Sequence, residues 1–420
     1  MQLSRDWKRI LTRKADDDSK VSADMAKILA DVRQNGDTAL RQYAKKFDGF
    51  EGESLEVTAE EINTAVKNLG TDFIRMLERA KTQIAEFHEN QKEKSWGMYK
   101  ENGVMMGQIV KPLAKVALYV PGGTAVYPSS VLMNAVPAVI AGVKDIIILT
   151  PAKADGKIAD SILAAAFVCG ITRIYKVGGP HSVAAAAYGT ETIPRVQKIV
   201  GPGNIYVATA KKLVYGQVAI DSIAGPSDIL VIADETANPA HVAADLMGQA
   251  EHDVLASAVL ITTSEKLINE TEKEIDRQLE YLKRSDVIRQ SLKDYGAAVL
   301  TKDLNEAFEI SNEIAPEHLE IITADPISHL PKVENAGSIF LGTYTPEPLG
   351  DYMSGTNHIL PTGGTAKFFS PLGVYDFVKY SSYSYYPMEA LADFKDDVVR
   401  FAESEGFDAH ANAVKVRFQK

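Results

Sequence analysis

The segment APEHLE places an acid and an imidazole side by side, at Glu317 and His318, directly after Pro316. Proline is favoured in the first turn of a helix, so the segment predicts a helix that begins near this point. Two interpretations stay open. The pair is either polar surface in a first turn, or a proton-transfer pair in which the carboxylate tunes the basicity of the histidine.

Two further segments carry side chains that bind metal ions. In GQAEHD, Gln249 and His252 lie three residues apart on a predicted helix and therefore share a face. In PLGDYMSGTNHILPTGG, Asp351 and His358 lie in a predicted loop rich in glycine and proline, and such loops often carry function. Each pair also has an ordinary interpretation, as the end of a surface helix or as part of a turn.

The remaining histidines and the cysteine give weaker signals. His410 follows Glu405 in the C-terminal segment EGFDAHANAV, and a terminal histidine has no evident task by itself. We interpret His88 and His241 as surface residues of helices. Cys169, in the apolar segment AAAFVCG, is predicted to lie in the core. Apolar surroundings raise the pKa of a thiol, which disfavours this cysteine as a nucleophile.

The elements that position these residues alternate between strand and helix. From Lys115 onward, apolar runs such as KVALYV, DIIILT and RIYKV end at glycine or proline, and alanine-rich helical segments separate them. A second alternation begins with DILVIADE at Asp228. The first alternation predicts a parallel sheet covered on both faces, with ligands at the carboxyl ends of its strands, and the second predicts another α/β sheet. The chain before about residue 110 and the C-terminal tail are predicted to be mostly helical.

Two glycine turns could approach a nucleotide. Tyr119 lies just before PGG at the end of one predicted strand, and Asn204 ends the segment GPGN after another. The dinucleotide fingerprint G-x-G-x-x-G is absent, because Tyr206 stands where the third glycine would be, and no P-loop, HExxH or GxSxG occurs. The turns therefore indicate either an unusual nucleotide site or ordinary helix–sheet packing.

Composition disfavours several classes of protein. The 420 residues carry a net charge of −11 and a single cysteine. Negative charge disfavours nucleic-acid and anionic-membrane partners, and one cysteine cannot build an intrachain disulfide framework. No apolar run reaches the roughly 20 residues that span a bilayer, and the N-terminal segment lacks the apolar region of a secretory signal. We expect a cytoplasmic protein of two or more domains.

Taken in order, the segments GPSDILVIADETANPAHVAADLMGQAEHD, APEHLE, GDYMSGTNHILPTGG and EGFDAHANAV resemble the motifs of the histidinol dehydrogenase family. The resemblance runs from about Val21 to the end of the chain. It implies a homodimeric zinc enzyme that oxidises L-histidinol through L-histidinal to L-histidine with two NAD. The expected fold is α/β, with two incomplete Rossmann-like parallel-sheet domains, a helical N-terminal region and a small helical C-terminal tail domain.

The resemblance also implies a role for each site residue. The implied zinc ligands are Gln249, His252, Asp351 and the partner's His410; the implied base is His318, with Glu317 activating water; further substrate contacts are Ser227, His358 and Glu405; and the NAD contacts are Tyr119, His181 and Asn204. One position departs from the family, because His181 in GGPHS stands where glutamine is common. Its imidazole can still hydrogen-bond a ribose or phosphate oxygen.

The boundaries of the expected domains lie where the pattern of predicted helices and strands changes. The domains are an N-terminal arm at 1–20, a first α/β domain with most metal and catalytic residues at 21–114 and 228–370, a second Rossmann-like domain on the NAD side at 115–227, and a tail domain at 371–420 that contributes to the partner's active site.

Two other functions stay open. A paralogous NAD-dependent dehydrogenase would keep zinc, Glu317 and His318 but oxidise another polar alcohol. A metal-binding module, or a metal hydrolase built on Glu317 and His318, would need no nucleotide, and its glycine turns would only be packing turns. The presence of both Glu405 and His410 favours an aminated imidazole substrate over an anion.

Overall fold

The computed structural model describes residues 2–11, 18–122, 126–223 and 225–419. The chain forms two compact units, Met1–Gln91 with Leu113–Phe377 and Lys92–Pro112 with Val378–Lys420. Part of the predicted N-terminal arm, Met1 and residues 12–17, lies outside the described residues. Within the described ranges, no helix is long and apolar enough to cross a membrane.

The first unit contains two parallel five-stranded sheets, and the first of them is built from the apolar runs after Lys115. Its strands, in spatial order, are Ile174–Lys176, Asp145–Thr150, Lys115–Tyr119, Lys198–Val200 and Ala219–Ile220. The helices between them are Pro128–Ala141, Asp160–Val168, Gly179–Tyr188 and Ile205–Val214. Consecutive residues such as Ile147 and Ile148 are both fully buried, which is the pattern of a sheet covered on both faces.

Long N-terminal helices cover this sheet. A short helix, Lys8–Leu11, precedes the helices Asp18–Asp48 and Ala59–Glu89. Leu40 and Ile84 from the two long helices belong to the same hydrophobic core as Leu118 of the sheet.

His88, near the end of the second long helix, is fully buried, so its prediction as a surface residue is wrong. Its Nε2 lies 3.3 Å from Asn357 Nδ2, on the loop that leads to His358. The last turn of the helix is therefore covered by a distant segment, which helical periodicity alone does not reveal.

The second sheet follows in the chain from Asp228. Its strands, in spatial order, are Gly296–Leu300, Ser257–Thr262, Asp228–Ala233, His318–Ile322 and Ser338–Leu341. Its α-helices are Pro239–Ala250, Glu265–Leu279, Ser285–Tyr295, Leu304–Ile314 and Glu347–Tyr352, and 3₁₀ turns occupy Ile327–Lys332, Thr365–Lys367 and Val374–Phe377. All neighbouring strands in both sheets are parallel, so the predicted α/β fold is confirmed.

Pro316 does not begin a helix, contrary to the sequence prediction. The preceding helix ends at Ile314, and its C-cap residue, Ala315, has a φ of 54° in the left-handed region. His318 is the first residue of a strand that pairs with Asp228–Ala233. Proline also fits just ahead of a strand, and here pairing with a neighbouring strand decides the conformation. Glu317 and His318 therefore lie at the amino end of a buried strand.

The second unit is a small antiparallel sheet followed by helices. Its strands are Trp96–Tyr99, Met105–Pro112 and Val378–Tyr385, and its helices are Met388–Ser404, Asp408–Lys415 and the 3₁₀ turn Val416–Phe418. The first two strands lie where the chain is predicted to be mostly helical, so that prediction is wrong for them. Every residue of Trp96–Tyr99 is exposed, and a strand without a buried face gives no alternation to detect.

Candidate active site

A cavity of about 300 Å³ brings most of the predicted site residues together. The predicted residues in its lining are Asn204, Ser227, Gln249, His252, Glu317, His318, Asp351 and His358. The other lining residues are Pro121, Tyr127, Ser130, Pro202, Gly203 and Glu347.

The cavity lies between the two sheets of the first unit. Pro121 and Gly203 follow strands of the first sheet at their carboxyl ends, as predicted. The second sheet instead contributes the amino ends of its strands, through Ser227 and His318. A crossover helix runs back along its strands, so the end of the helix Pro239–Ala250 reaches this same edge.

His318 is buried, and the neighbouring strand fixes its ring. Its Nδ1 lies 3.1 Å from the carbonyl oxygen of Asp228, and its Nε2 lies 3.6 Å from Glu347 Oε1. Burial lowers the pKa of His318, although the negative charge of Asp351 opposes this effect. A lowered pKa keeps the imidazole neutral near neutral pH, which is the form that accepts a proton.

Glu317 forms a reciprocal pair of hydrogen bonds with Asp228. The backbone N–H of Glu317 donates to Asp228 Oδ1 at 2.7 Å, and the backbone N–H of Asp228 donates to Glu317 Oε2 at 3.1 Å. Burial raises the pKa of Glu317 well above its usual value, and the charge of Asp228 raises it further. Once ionised, a carboxylate with a raised pKa is a stronger proton acceptor than an ordinary one.

His358 is held from both ring nitrogens. Its Nε2 lies 3.2 Å from Ser130 Oγ, at the start of the helix Pro128–Ala141. Its Nδ1 lies 3.2 Å from the carbonyl oxygen of Asp351 and 3.6 Å from Asp351 Oδ1. Asp351 is in the short helix Glu347–Tyr352, so its predicted place in a loop is wrong.

Gln249 has the character of a ligand side chain. It is 1% exposed, and neither its Oε1 nor its Nε2 has a hydrogen-bond partner within the described ranges. A buried amide without a partner is costly, so its oxygen is suited to a bound cation. His252 lies beyond the last helical residue, Ala250. The predicted shared helical face is therefore wrong, although both side chains reach the cavity.

Two overlapping groups of side chains could hold a metal ion. Gln249, His252 and Asp351 offer one amide, one imidazole and one carboxylate around the cavity, a donor set that suits zinc. His318, Glu347 and Asp351 form a tighter cluster, with one ligand atom from each lying within 4.8 Å of the others. Asp351 belongs to both groups.

Comparison with known proteins identifies the family. The sequence model of the family named Histidinol dehydrogenase matches residues 11–418. The chain belongs to the histidinol dehydrogenase family. It is 60% identical over 410 residues to the histidinol dehydrogenase of Lactococcus lactis, a match that covers 97% of this chain and 95% of the relative. It is 57% identical over 392 residues to that of Clostridium acetobutylicum, covering 93% and 91%.

A solved structure agrees with this assignment. The crystal structure of histidinol dehydrogenase from Elizabethkingia anophelis superposes with a TM-score of 0.93 at 36% identity, and the match covers 98% of this chain and 95% of that one. The predicted resemblance to the histidinol dehydrogenase family is therefore confirmed, and so is the two-sheet architecture.

The residues predicted to contact NAD fall in different environments. Asn204 is exposed, lines the cavity, and caps the helix Ile205–Val214 by accepting from the backbone N–H groups of Tyr206 and Val207. Tyr119 is buried, and its hydroxyl accepts from the backbone N–H of Gly179 at 3.3 Å. Burial raises the pKa of Tyr119 to about 12.

His181, which the resemblance predicts to contact NAD, is fully buried beneath the rings of Tyr43 and Phe47. Its ring nitrogens have no hydrogen-bond partner in the part of the chain that the structure describes, and Asp48 Oδ2 lies 4.0 Å from its Nε2. Burial lowers the pKa of His181 to about 3. A direct contact with NAD stays a prediction for this residue.

Glu405 and His410 belong to the second compact unit, and both are exposed there. His410 lies in the helix Asp408–Lys415, and Glu405 caps the helix before it. Their predicted roles in the site of a partner subunit stay predictions.

Sequence reasoning missed three residues that line this cavity or hold its side chains in place: Asp228, Glu347 and Ser130. Glu347 precedes Asp351 by one helical turn, a spacing that could have marked it. Burial raises the pKa of Glu347 to about 8, and the charge of Asp351 contributes. Asp228 and Ser130 gave no local signal, because their importance comes from contacts with distant segments.

Proposed function

We propose that the chain oxidises L-histidinol through L-histidinal to L-histidine and reduces two NAD in each cycle. Membership of the histidinol dehydrogenase family supports this reaction. The observation that carries the mechanism is the hydrogen-bonded arrangement of His318, Asp228 and Glu317 at the edge of the cavity.

His318 is the proposed general base. Its Nδ1 is within hydrogen-bond distance of the Asp228 carbonyl oxygen, which leaves Nε2 to take the hydroxyl proton of the alcohol as hydride leaves the adjacent carbon. NAD, when bound, supplies the acceptor for that hydride. A positioned base of this kind contributes about 10²- to 10⁴-fold in rate.

Glu317 is proposed to act after the first oxidation. Its carboxylate takes a proton from the water molecule that adds to the aldehyde carbon, while protonated His318 returns its proton to the carbonyl oxygen. The resulting hydrate then loses a second hydride, and His318, neutral again, accepts the hydroxyl proton. The raised pKa of Glu317 favours proton uptake. Two oxidations at one carbon therefore need only two protein groups, and these are adjacent in the chain.

Zinc is the metal that we infer for the cavity, with Gln249, His252, Asp351 and the partner's His410 as ligands. The unpartnered amide of Gln249 supports this assignment, as does a donor set of nitrogen and oxygen atoms without cysteine. Zinc, when bound, would orient the amine and imidazole of the substrate. Ser227, His358 and Glu405 are the further substrate contacts in this proposal, with Glu405 facing the substrate ammonium.

A homodimer is the assembly that we infer. The second unit exposes large apolar side chains, of which Tyr99, Met388 and Phe401 are 74%, 65% and 70% exposed. A concentration of apolar surface marks an interaction site. In this proposal the partner subunit covers it, and His410 and Glu405 enter the site of the other subunit. We also place the enzyme in the cytoplasm.

The test is a single assay with histidinol and NAD on protein whose zinc content is measured. We expect two NADH per histidinol consumed, L-histidine as the product, and about one zinc per subunit. Oxidation of another polar alcohol in preference to histidinol would indicate a paralogous dehydrogenase. Failure to bind NAD at all would favour a metal hydrolase or a metal-binding module.

A further inference from the structure

Glu320 is a carboxyl group buried within a strand of the second sheet, on the strand His318–Ile322, and it is only 1% exposed. Side chains alternate along a strand, so Glu320 shares the face of His318, whereas Leu319 and Ile321 belong to the hydrophobic core on the other face. An acid in such a place is costly unless partners compensate. Packing alone therefore does not explain why an acid occupies this position.

The partners of Glu320 lie on two different helices. Its Oε1 accepts the backbone N–H of Glu347 at 2.8 Å, at the start of the helix Glu347–Tyr352. Its carboxyl group also lies close to the carboxyl group of Asp245, on the helix Pro239–Ala250, and its Oε2 has no other hydrogen-bond partner within the described ranges. Two neighbouring carboxylates repel each other unless one of them takes up a proton. Burial and the charge of Asp245 raise the pKa of Glu320 well above its usual value, in agreement with this arrangement.

Each of these helices carries a candidate zinc ligand one turn beyond its contact with Glu320. Gln249 follows Asp245 by four residues, and Asp351 follows Glu347 by four residues. Residues four apart lie on the same side of a helix. The strand of Glu320 itself begins with His318. The side chain of Glu320 thus lies where three elements meet: its own strand, which begins with the proposed base, and the two helices that carry the proposed ligands.

We propose that Glu320 is a positioning residue, which sets the helix of Gln249 and the helix of Asp351 in the relative geometry that a shared cation requires. This inference rests on the proposed zinc site. Glu320 does not line the cavity, so it acts only through the elements it joins.

Two substitutions distinguish the effect of the Glu320 hydrogen bonds from the effect of filling its buried position. Glu320→Gln keeps an oxygen that accepts from Glu347 and gains an amide that donates to Asp245. Glu320→Met fills a similar volume and makes neither contact. Ile321→Val, on the opposite face of the same strand, is the matched control for a small loss of packing.

The first measurement is amide hydrogen exchange in the metal-free proteins, followed in peptides that cover residues 341–352. Loss of one hydrogen bond is expected to speed exchange at the start of this helix by about tenfold in Glu320→Met. Glu320→Gln and Ile321→Val should exchange as the unsubstituted protein does. The inference is overturned if Glu320→Met stays protected, or if Glu320→Gln exchanges as fast as Glu320→Met.

The second measurement is zinc affinity, determined by competition with a chelator. Groups that orient ligands typically change affinity by about 10- to 100-fold, and we expect such a loss in Glu320→Met but not in Glu320→Gln. Retention of full affinity by folded Glu320→Met would overturn the inference. If the unsubstituted protein binds no zinc, the proposed zinc site fails, and the exchange measurement in metal-free protein still decides the role of Glu320.

A second variant covers the case in which Glu320→Met does not fold. Asp245→Ala lies on a helix, where alanine is well tolerated, and it removes the one carboxyl group on the helix of Gln249 that lies close to Glu320. We expect faster zinc release from Asp245→Ala and near-normal release from Asp245→Asn, whose amide can donate to Glu320. Equal rates in Asp245→Ala and the unsubstituted protein would overturn the inference.

Discussion

The Nδ1 atom of His318 lies 3.1 Å from the carbonyl oxygen of Asp228 on the neighbouring strand. A neutral imidazole that donates from Nδ1 keeps Nε2 unprotonated. The backbone of one strand therefore selects which nitrogen of the adjacent residue can act as a base, and burial lowers the pKa of the ring so that the neutral form prevails.

Replacing His318 with asparagine should remove the base while leaving zinc in place. The asparagine amide can still donate to the Asp228 carbonyl, so the strand pairing is expected to survive. We expect kcat for histidinol to fall by about 10²- to 10⁴-fold, with unchanged zinc content. Steady-state kinetics and metal analysis on one preparation measure both quantities. His241→Asn, at an exposed histidine, is the control, and near-normal turnover in His318→Asn would remove His318 from the mechanism.

Replacing Glu317 with glutamine should uncouple the two oxidations. The amide can still accept the backbone N–H of Asp228 but cannot take a proton from water. We expect the yield to fall from two NADH per histidinol towards one, with histidinal accumulating. A carbonyl-trapping reagent, combined with NADH absorbance, measures this ratio. Glu313→Gln, at an exposed glutamate nearby, should keep a ratio of two; the same ratio in Glu317→Gln would argue against its role with water.

The two overlapping groups of candidate metal ligands lead to opposite predictions for the zinc affinity of two variants. If Gln249 and His252 are ligands with Asp351, then His252→Ala should weaken zinc binding by at least about 100-fold, because a ligand bond is lost. Glu347→Gln should then change zinc affinity much less. Chelator competition measures both, with Glu251→Gln as an exposed neighbouring control. Strong loss in Glu347→Gln and little in His252→Ala would favour the cluster of His318, Glu347 and Asp351 instead.

The sheets and the types of site residue could be predicted from the sequence, because their signals are local. A run such as Asp145–Thr150 is apolar throughout and ends at proline, which is typical of a strand covered on both faces. The sequence also predicts Gln249, His252, Asp351 and His358 as site residues, and the structure brings them to one cavity.

What the sequence could not reveal depends on partners far along the chain. The segment after Pro316 is compatible with a helix start, and only its pairing with the strand from Asp228 makes it a strand. Glu320 and Glu347 look like ordinary surface acids until the fold buries them. The strands Trp96–Tyr99 and Met105–Pro112 have no continuously buried face, so their sequences carry no periodic signal.

Donation of His410 between subunits predicts complementation. We expect His318→Ala and His410→Ala homodimers each to be nearly inactive. Refolding them together in equal amounts should restore roughly a quarter of the unsubstituted activity, since half of the dimers are mixed and each mixed dimer has one intact site. Activity measured before and after co-refolding gives the result. If His410 serves its own subunit, every site in the mixture is defective and no activity returns.

His181 should make the free energy of unfolding depend on pH. Burial lowers its pKa to about 3 in the folded chain, against about 6.5 when unfolded. Near pH 7 the imidazole of His181 is mostly neutral in both the folded and the unfolded chain. As the pH falls below about 6.5, the unfolded chain takes up a proton that the folded chain cannot, so stability falls by about 1.4 kcal/mol per unit until about pH 3. Asp48, whose pKa burial raises to about 6, acts in the opposite direction.

His181→Gln removes the histidine contribution and leaves that of Asp48 in both proteins. The free energy of unfolding between about pH 7 and pH 5 should then decrease by about 2 kcal/mol less in the variant than in the unsubstituted protein. Urea titrations at the two pH values measure this difference, and His241→Gln at an exposed position should show none. A KM for NAD that changes several-fold in His181→Gln, with no change in the pH dependence, would instead support direct contact between His181 and the cofactor.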